Sequence, residues 1–145
     1  GSFLCSKYFG PLIAKNKEGG SIVNISSDLG LIAPDQKLYR KDNLEDHKQP
    51  VKPVTYSVVK SGLIGLTRYL STYWIEEGVR CNAICPGGIK NDQSEEFLEE
   101  VSKRVPMKRL ANSDEYKGTL VWMLSSGSSY LNGAIVPVDG GRTAW

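Results

Sequence analysis

SIVNISSDLG, residues 21–30, decides the architecture. Ile22, Val23 and Ile25 crowd its first six residues with β-branched side chains, the pattern of a short strand buried on both faces. Strands of that kind belong to parallel sheets, where crossover helices cover both sides. The run then stops at Ser26 and Ser27, followed by Asp28 and Gly30. In an open parallel sheet, ligands bind just beyond the carboxyl ends of the strands. The two serines are therefore expected at the one edge of the sheet where chemistry is done.

Reading outward, residues 3 to 15 suggest a short helix with Phe3, Leu4, Phe9, Leu12 and Ile13 as its apolar positions. Downstream, residues 34 to 53 are charged, bounded by prolines and poor in apolar residues, and read as a polar surface insertion. Connections of that length more often serve as functional lids than as spacers. A long helix follows over about 54 to 77, with Val58, Val59, Leu63, Ile64, Leu66, Leu70 and Trp74 at helical spacing and Gly78 as its stop. VRCNAIC, residues 79–85, reads as a second buried strand closed by Pro86, Gly87 and Gly88. SEEFLEEVSKRV, 94–105, runs from acidic to basic as a helix dipole favours. Another helix is expected from Ser113 to about residue 126, and GAIVPVDGG, 133–141, supplies a last strand and turn. Strands alternating with helices imply βαβ crossovers. The expected fold is thus one α/β domain, the C-terminal half of a Rossmann-like doubly wound parallel sheet with three strands.

Composition narrows the function. Hydrophobic residues make up 40% of the 145 positions and charged residues 23%, an ordinary globular balance. With a net charge of +2 and no basic stripe interleaved with aromatics, nothing supports nucleic-acid binding. No apolar run is long enough for a membrane span, and the first residues lack the pattern of a signal peptide. Cys5, Cys81 and Cys85 make an odd count without clustered histidines, which argues against a disulfide framework or a metal site. A reducing, cytoplasmic setting is the simplest expectation.

Tyr56 and Lys60, in TYSVVKSG (55–62), lie four apart and so share one face of the long helix. By themselves they have two readings: a pair snorkelling from a helix edge, or a proton-transfer device. Their company bears on the choice. In order along the chain come a strand ending in N-x-S-S-x-x-G, then Y-x-x-x-K, then a strand ending in N-x-x-x-P-G, then V-D-G-G.

That ordered set resembles the short-chain dehydrogenase/reductase family, from about residue 2 to the end apart from the insertion. The resemblance implies an NAD- or NADP-dependent oxidoreductase acting on a small alcohol or carbonyl. By the same resemblance Ser27 binds the substrate oxygen, Tyr56 is the catalytic tyrosine, and Lys60 contacts the nicotinamide ribose and favours the phenolate. Pro86, Gly87, Gly88, Ile89 and Asn91 match the loop along the nicotinamide, with Asn91 standing where threonine is common. Physical chemistry agrees: hydride delivery to a carbonyl carbon builds alkoxide charge, so a proton donor must lie within hydrogen-bond reach. A fixed ammonium one helical turn away favours the phenolate. SSDLGLIAPDQ, the insertion and VDGGRTAW also resemble a bacterial branch tied to flagellin modification and nucleotide-sugar metabolism, which implies a polar, sugar-like substrate.

Several residues keep plainer readings. Ser26 reads as a packing or turn residue, Asp28 and Asp35 as caps, turns or contacts to a polar substrate, and His47 as a solvated loop residue. Within these residues there is no glycine-rich turn after a first strand, and no acidic or basic residue that would select between the two dinucleotides. The expectation is therefore a portion of a longer enzyme, with an open edge on the first strand that invites self-association. The alternative is a non-catalytic relative acting as a structural or interaction module. Family members pair through the tyrosine-bearing helix, so a homo-oligomer is expected, with Leu63, Leu66, Leu70 and Trp74 as contact candidates.

Overall fold

A computed structural model describes residues 1–145. Three parallel strands lie in the order β1 (Gly20–Ile25), β2 (Val79–Pro86) and β3 (Ile135–Val138). Four α-helices connect and flank them: α1 (Ser2–Ala14), α2 (Val54–Tyr73), α3 (Glu95–Ser102) and α4 (Lys117–Leu124). Asn24 pairs in register with Ala83, and Ala83 with Ile135. The parallel α/β architecture anticipated from the strand pattern is the one observed.

The core sits on β2. Val79, Cys81, Ala83 and Cys85 are fully buried there, and Ile84 nearly so. On one face Ile84 packs with Tyr116 and Met123 of the α4 region, and Val23, Leu120, Val136 and Val138 close around them. On the other face α2 crosses the sheet, burying Ile64, Thr67 and Leu70. Burial pushes the Cys81 thiol up to about 11, as expected of a cysteine acting as a small apolar filler. The buried amides are paired: Asn24 Nδ2 donates to Thr67 Oγ1 at 2.9 Å, and Asn82 bonds the backbone of Leu131 and Ala134.

Four expectations change. The strand at 21–26 is not buried on both faces: β1 is paired only with β2, Asn24 is its one buried residue, and Ile25 is 46% exposed. Helix α2 ends at Tyr73 rather than near 77, because Val79 N donates to Trp74 O and Gly78 N to Ile75 O, closing a tight turn. Gly78 sits at φ +72° in that turn, against Gly19 at φ +70°; a Cβ on Gly19 would meet Gly78 O at 2.2 Å. Helix α4 begins at Lys117 rather than 113, because the Glu115 carboxylate folds back onto Asn112 N and the Arg109 guanidinium. Finally, Leu70 faces the sheet, whereas Leu63, Leu66 and Trp74 are half-buried; the most exposed strip of α2 carries Val54, Val58, Tyr69 and Tyr73.

The polar insertion is not structureless. Short 3₁₀ turns form at Gln36–Tyr39 and Asp46–Lys48. Gln36 exchanges two hydrogen bonds with the backbone of Lys52, and Gln49 bonds the backbone of Lys41 and Leu44. Asp35 pairs with Arg104 at 2.6 Å, and the Tyr39 ring lies 6.3 Å from that of Phe97 on α3. These ties hold the insertion over the carboxyl ends of the strands. No helix is long and apolar enough to cross a membrane.

Candidate active site

The end of β1 is bolted to the start of α2. Ser26 Oγ donates to Lys60 O at 2.7 Å, Lys60 Nζ donates to Ile25 O at 2.9 Å, and Ser61 Oγ donates to Gly30 O at 3.0 Å. The approach is close enough to demand glycine at 30, where a Cβ would lie 2.8 Å from Ser26 Oγ and 3.0 Å from the Lys60 carbonyl. Ser26 thus has the packing role read for it. Its neighbour Ser27 is turned to the other side of the bend.

Ser27, Tyr56, Gly87, Gly88 and Ile89 meet around one cavity of about 190 Å³. Lys60 does not line it, but its Nζ lies 5.7 Å from the centre of the Tyr56 ring. Pro86 ends β2 just behind the cavity, and Asn91 stands outside it, exposed, with its N–H on Gln93 Oε1. Of the eight residues assigned to the site by resemblance, five line the cavity and Lys60, Pro86 and Asn91 do not; Asp28, read as a cap, turn or substrate contact, lines it as well. The glycine loop is thin for a reason: a Cβ on Gly87 would meet Asp139 Cα at 2.8 Å, and one on Gly88 would meet Leu110 at 2.7 Å. Beneath it the buried Tyr116 donates its hydroxyl to Gly87 O.

Asp28 is neither a plain cap nor a free contact. It is 3% exposed and accepts at three points: Leu29 N at 2.7 Å and Ser27 Oγ at 2.9 Å on Oδ1, and Arg142 Nη1 at 2.9 Å on Oδ2. Ser27 Oγ also accepts from Leu29 N at 3.2 Å. A hydroxyl has one proton and two lone pairs. With the proton directed to Asp28 and one lone pair taken, Ser27 keeps a single acceptor position towards the cavity. Arg142 reaches Asp28 because Asp139 shapes the C-terminal loop, accepting from Gly141 N and Thr143 N.

Arg142, Tyr39 and Lys52 also line the cavity, and sequence reasoning named none of them for the site. Burial raises the Tyr39 phenol above its ordinary range. Lys52 holds its Nζ 4.1 Å from the centre of the Tyr56 ring. A signal for Lys52 existed: it precedes Tyr56 by the four residues that separate Tyr56 from Lys60. None existed for Arg142, whose partner lies 114 positions away. His47 lies outside the cavity, exposed beside Glu45. No cluster of three metal-ligating side chains is present.

The chain is similar to several known proteins. The family model described as enoyl-(acyl carrier protein) reductase matches residues 46–143. An uncharacterised oxidoreductase of Thermotoga maritima is 33% identical across 99% of this chain and 55% of its own. Glucose 1-dehydrogenase 2 of Bacillus subtilis is 31% identical across the whole chain and 52% of its own. Among solved structures, a short-chain dehydrogenase of Leptospira borgpetersenii with bound NAD+ superposes with a TM-score of 0.86 at 33% identity, covering 98% of this chain and 52% of that one. The chain spans about half the length of the curated relatives it matches.

Proposed function

The chain belongs to the short-chain dehydrogenase/reductase family, and on that footing we propose that it carries the proton-transfer and substrate-binding half of an NAD- or NADP-dependent oxidoreductase. The observation that carries the reading is the convergence of Ser27, Tyr56 and the Gly87–Ile89 loop on one cavity, with the Lys60 ammonium 5.7 Å from the centre of the Tyr56 ring. When bound, the nicotinamide exchanges a hydride with the carbinol carbon of the substrate. The residues fit it: Ile89 offers an exposed apolar side chain on a glycine-thinned loop beside Tyr56. Lys60 Nζ has two donor positions beyond its bond to Ile25 O for ribose hydroxyls.

Tyr56 gives or takes the proton at the substrate oxygen. Lys60 holds a positive charge near the ring, favouring the phenolate at the moment it forms. In the alcohol direction Ser27 accepts a hydrogen bond from the substrate hydroxyl and so helps to hold that oxygen beside Tyr56. The substrate is a polyhydroxylated, sugar-like alcohol or its ketone. Support comes from the polar insertion over the cavity, the flagellin-modification resemblance and a relative named for glucose. A second copy of the chain packs on the outward strip of α2, where Val58, Tyr69 and Tyr73 are all more than half exposed.

The test is nicotinamide absorbance during turnover of D-sorbitol and D-glucose by the protein carrying this sequence. Tyr56→Phe should lower turnover by about 10²- to 10⁴-fold, the usual contribution of a positioned proton donor. Binding of the reduced dinucleotide should be unchanged. Turnover by the variant within about threefold of wild type would remove Tyr56 from the chemistry.

A further inference from the structure

We propose that Lys52 is a specificity-determining residue and that the substrate bears an anionic group, a carboxylate or a phosphate monoester, which this ammonium holds beside Tyr56. The inference rests on the oxidoreductase reading and adds to it the charge of the ligand.

The cavity carries few formal charges. Its ionisable lining consists of Asp28, Arg142, Lys52, Tyr39 and Tyr56. Asp28 and Arg142 neutralise each other at 2.9 Å, both nearly buried, and Asp28 is further satisfied by Ser27 and Leu29 N. Burial disfavours the charged form of the Tyr39 phenol. Lys52 is left as the one uncompensated formal charge. Its ammonium has no carboxylate within ion-pair distance and no hydrogen-bond acceptor. The face of the Tyr56 ring is its partner, at 4.1 Å. An ammonium seated on an aromatic face still has donors turned away from the ring.

Lys52 is also held in place. Its backbone N–H donates to Gln36 Oε1 at 2.9 Å, and its carbonyl accepts from Gln36 Nε2. That clamp fixes the last residues of the insertion just before they enter α2, four positions ahead of Tyr56. A lysine left to solvent has no need of such a clamp, nor of a place on the cavity wall. Arg142 adds to the effect, because one guanidinium nitrogen serves Asp28 while the others remain free on the same wall. The cavity is therefore positive, half-enclosed and lined on its other side by Leu38, Phe97 and Val101. A neutral polyol wastes that field, whereas an anion attached to a polyol uses it.

The experiment is calorimetric titration of the protein with three matched probes: neutral D-sorbitol, the carboxylate D-gluconate and the phosphate ester D-sorbitol 6-phosphate. The titrations are made with and without saturating NAD+ at near-physiological salt. At least one anionic probe should bind about tenfold tighter than D-sorbitol, the effect of one partly desolvated charge-assisted contact. Which of the two does so identifies the anion. Lys52→Met should reduce the preference to within about twofold, and Lys52→Arg should keep most of it. Equal affinity for sorbitol and both anions overturns the proposal, as does a preference that survives in Lys52→Met or failure of all three probes to bind. A melting curve of Lys52→Met guards against misfolding. Because the readout is binding, its failure is separable from that of the Tyr56 assay: turnover lost in Tyr56→Phe with no anion preference leaves the oxidoreductase reading standing alone.

Discussion

Two margins of the molecule invert what their composition suggests. Helix α1 is among its most apolar segments and among the least covered: Phe3, Leu4, Tyr8, Phe9 and Leu12 are each more than half exposed, and only Ser6 and Gly10 are buried. The insertion at 34–53 is among the most polar, yet it is tied down by Gln36, Gln49, Asp35 and the Tyr39–Phe97 contact. An apolar side chain needs a partner surface before it is buried, and α1 meets β1 only along a narrow line. A polar segment can be fixed by hydrogen bonds wherever its donors and acceptors find mates. Apolar character reports what a segment would cover; directional pairing reports what holds it now.

The contrast is broken most severely at the site side, where directional pairing is deepest. Arg142→Met would leave Asp28 buried without its countercharge. Such a loss is expected to destabilise the fold by about 3–5 kcal/mol, read as a lowered urea midpoint. The pair Asp28→Asn with Arg142→Met should recover much of that, since no buried charge remains. If the single variant melts with the wild type, the ion pair is not what fixes the C-terminal loop.

The α1 margin should answer in the opposite sense. Phe9→Lys with Leu12→Lys removes exposed apolar surface, so the monomer's stability should change by no more than about 0.5 kcal/mol. If the exposed α1 face mediates contacts in addition to the α2 strip, self-association should weaken in sedimentation velocity. An unchanged sedimentation profile would mean that α1 does not mediate contacts. Substituting Leu70 cannot serve as an assembly test: it is 4% exposed against the sheet, and its truncation would open the core.

What was legible in the sequence follows the same division. β-branched runs and helical spacing read out the strands, the helices and the parallel sheet, because those signals are local and periodic. Helix ends were read less well where a local bond intervened, as at Trp74 and Glu115. Ser27 and the glycine loop were legible because they follow strand ends directly, and Tyr56 because it stands four residues from Lys60 on one helix face. The Asp28–Arg142 pair was not, since nothing in either residue's neighbourhood announces a partner so far along the chain. Nor was the docking of the insertion, whose glutamines and aspartates look in sequence like solvated loop residues.

The finest test of that docking is acid. The Arg104 guanidinium hydrogen-bonded to Asp35 holds its carboxyl below the ordinary value near 3.8, with Lys37 N helping. A carboxyl whose folded value is depressed contributes stability that is complete above its unfolded value and is lost as pH falls through the folded one. The contribution should therefore be constant from neutrality down to about pH 5 and fade below pH 4. It is small, about 0.2–1 kcal/mol, because Asp35 is more than a third exposed and solvent screens the pair. Glu100 complicates the reading, since it bonds the other side of Arg104 and is depressed as well, chiefly by Lys103. The two separate by substitution. Following the Arg104 Nε–H resonance from pH 6 to 3, Glu100→Gln should keep the acid transition and Asp35→Asn should abolish it. If instead the transition survives Asp35→Asn, Arg104 belongs to α3 alone, and the insertion is held by its glutamine clamps and the Tyr39–Phe97 contact without ionic help.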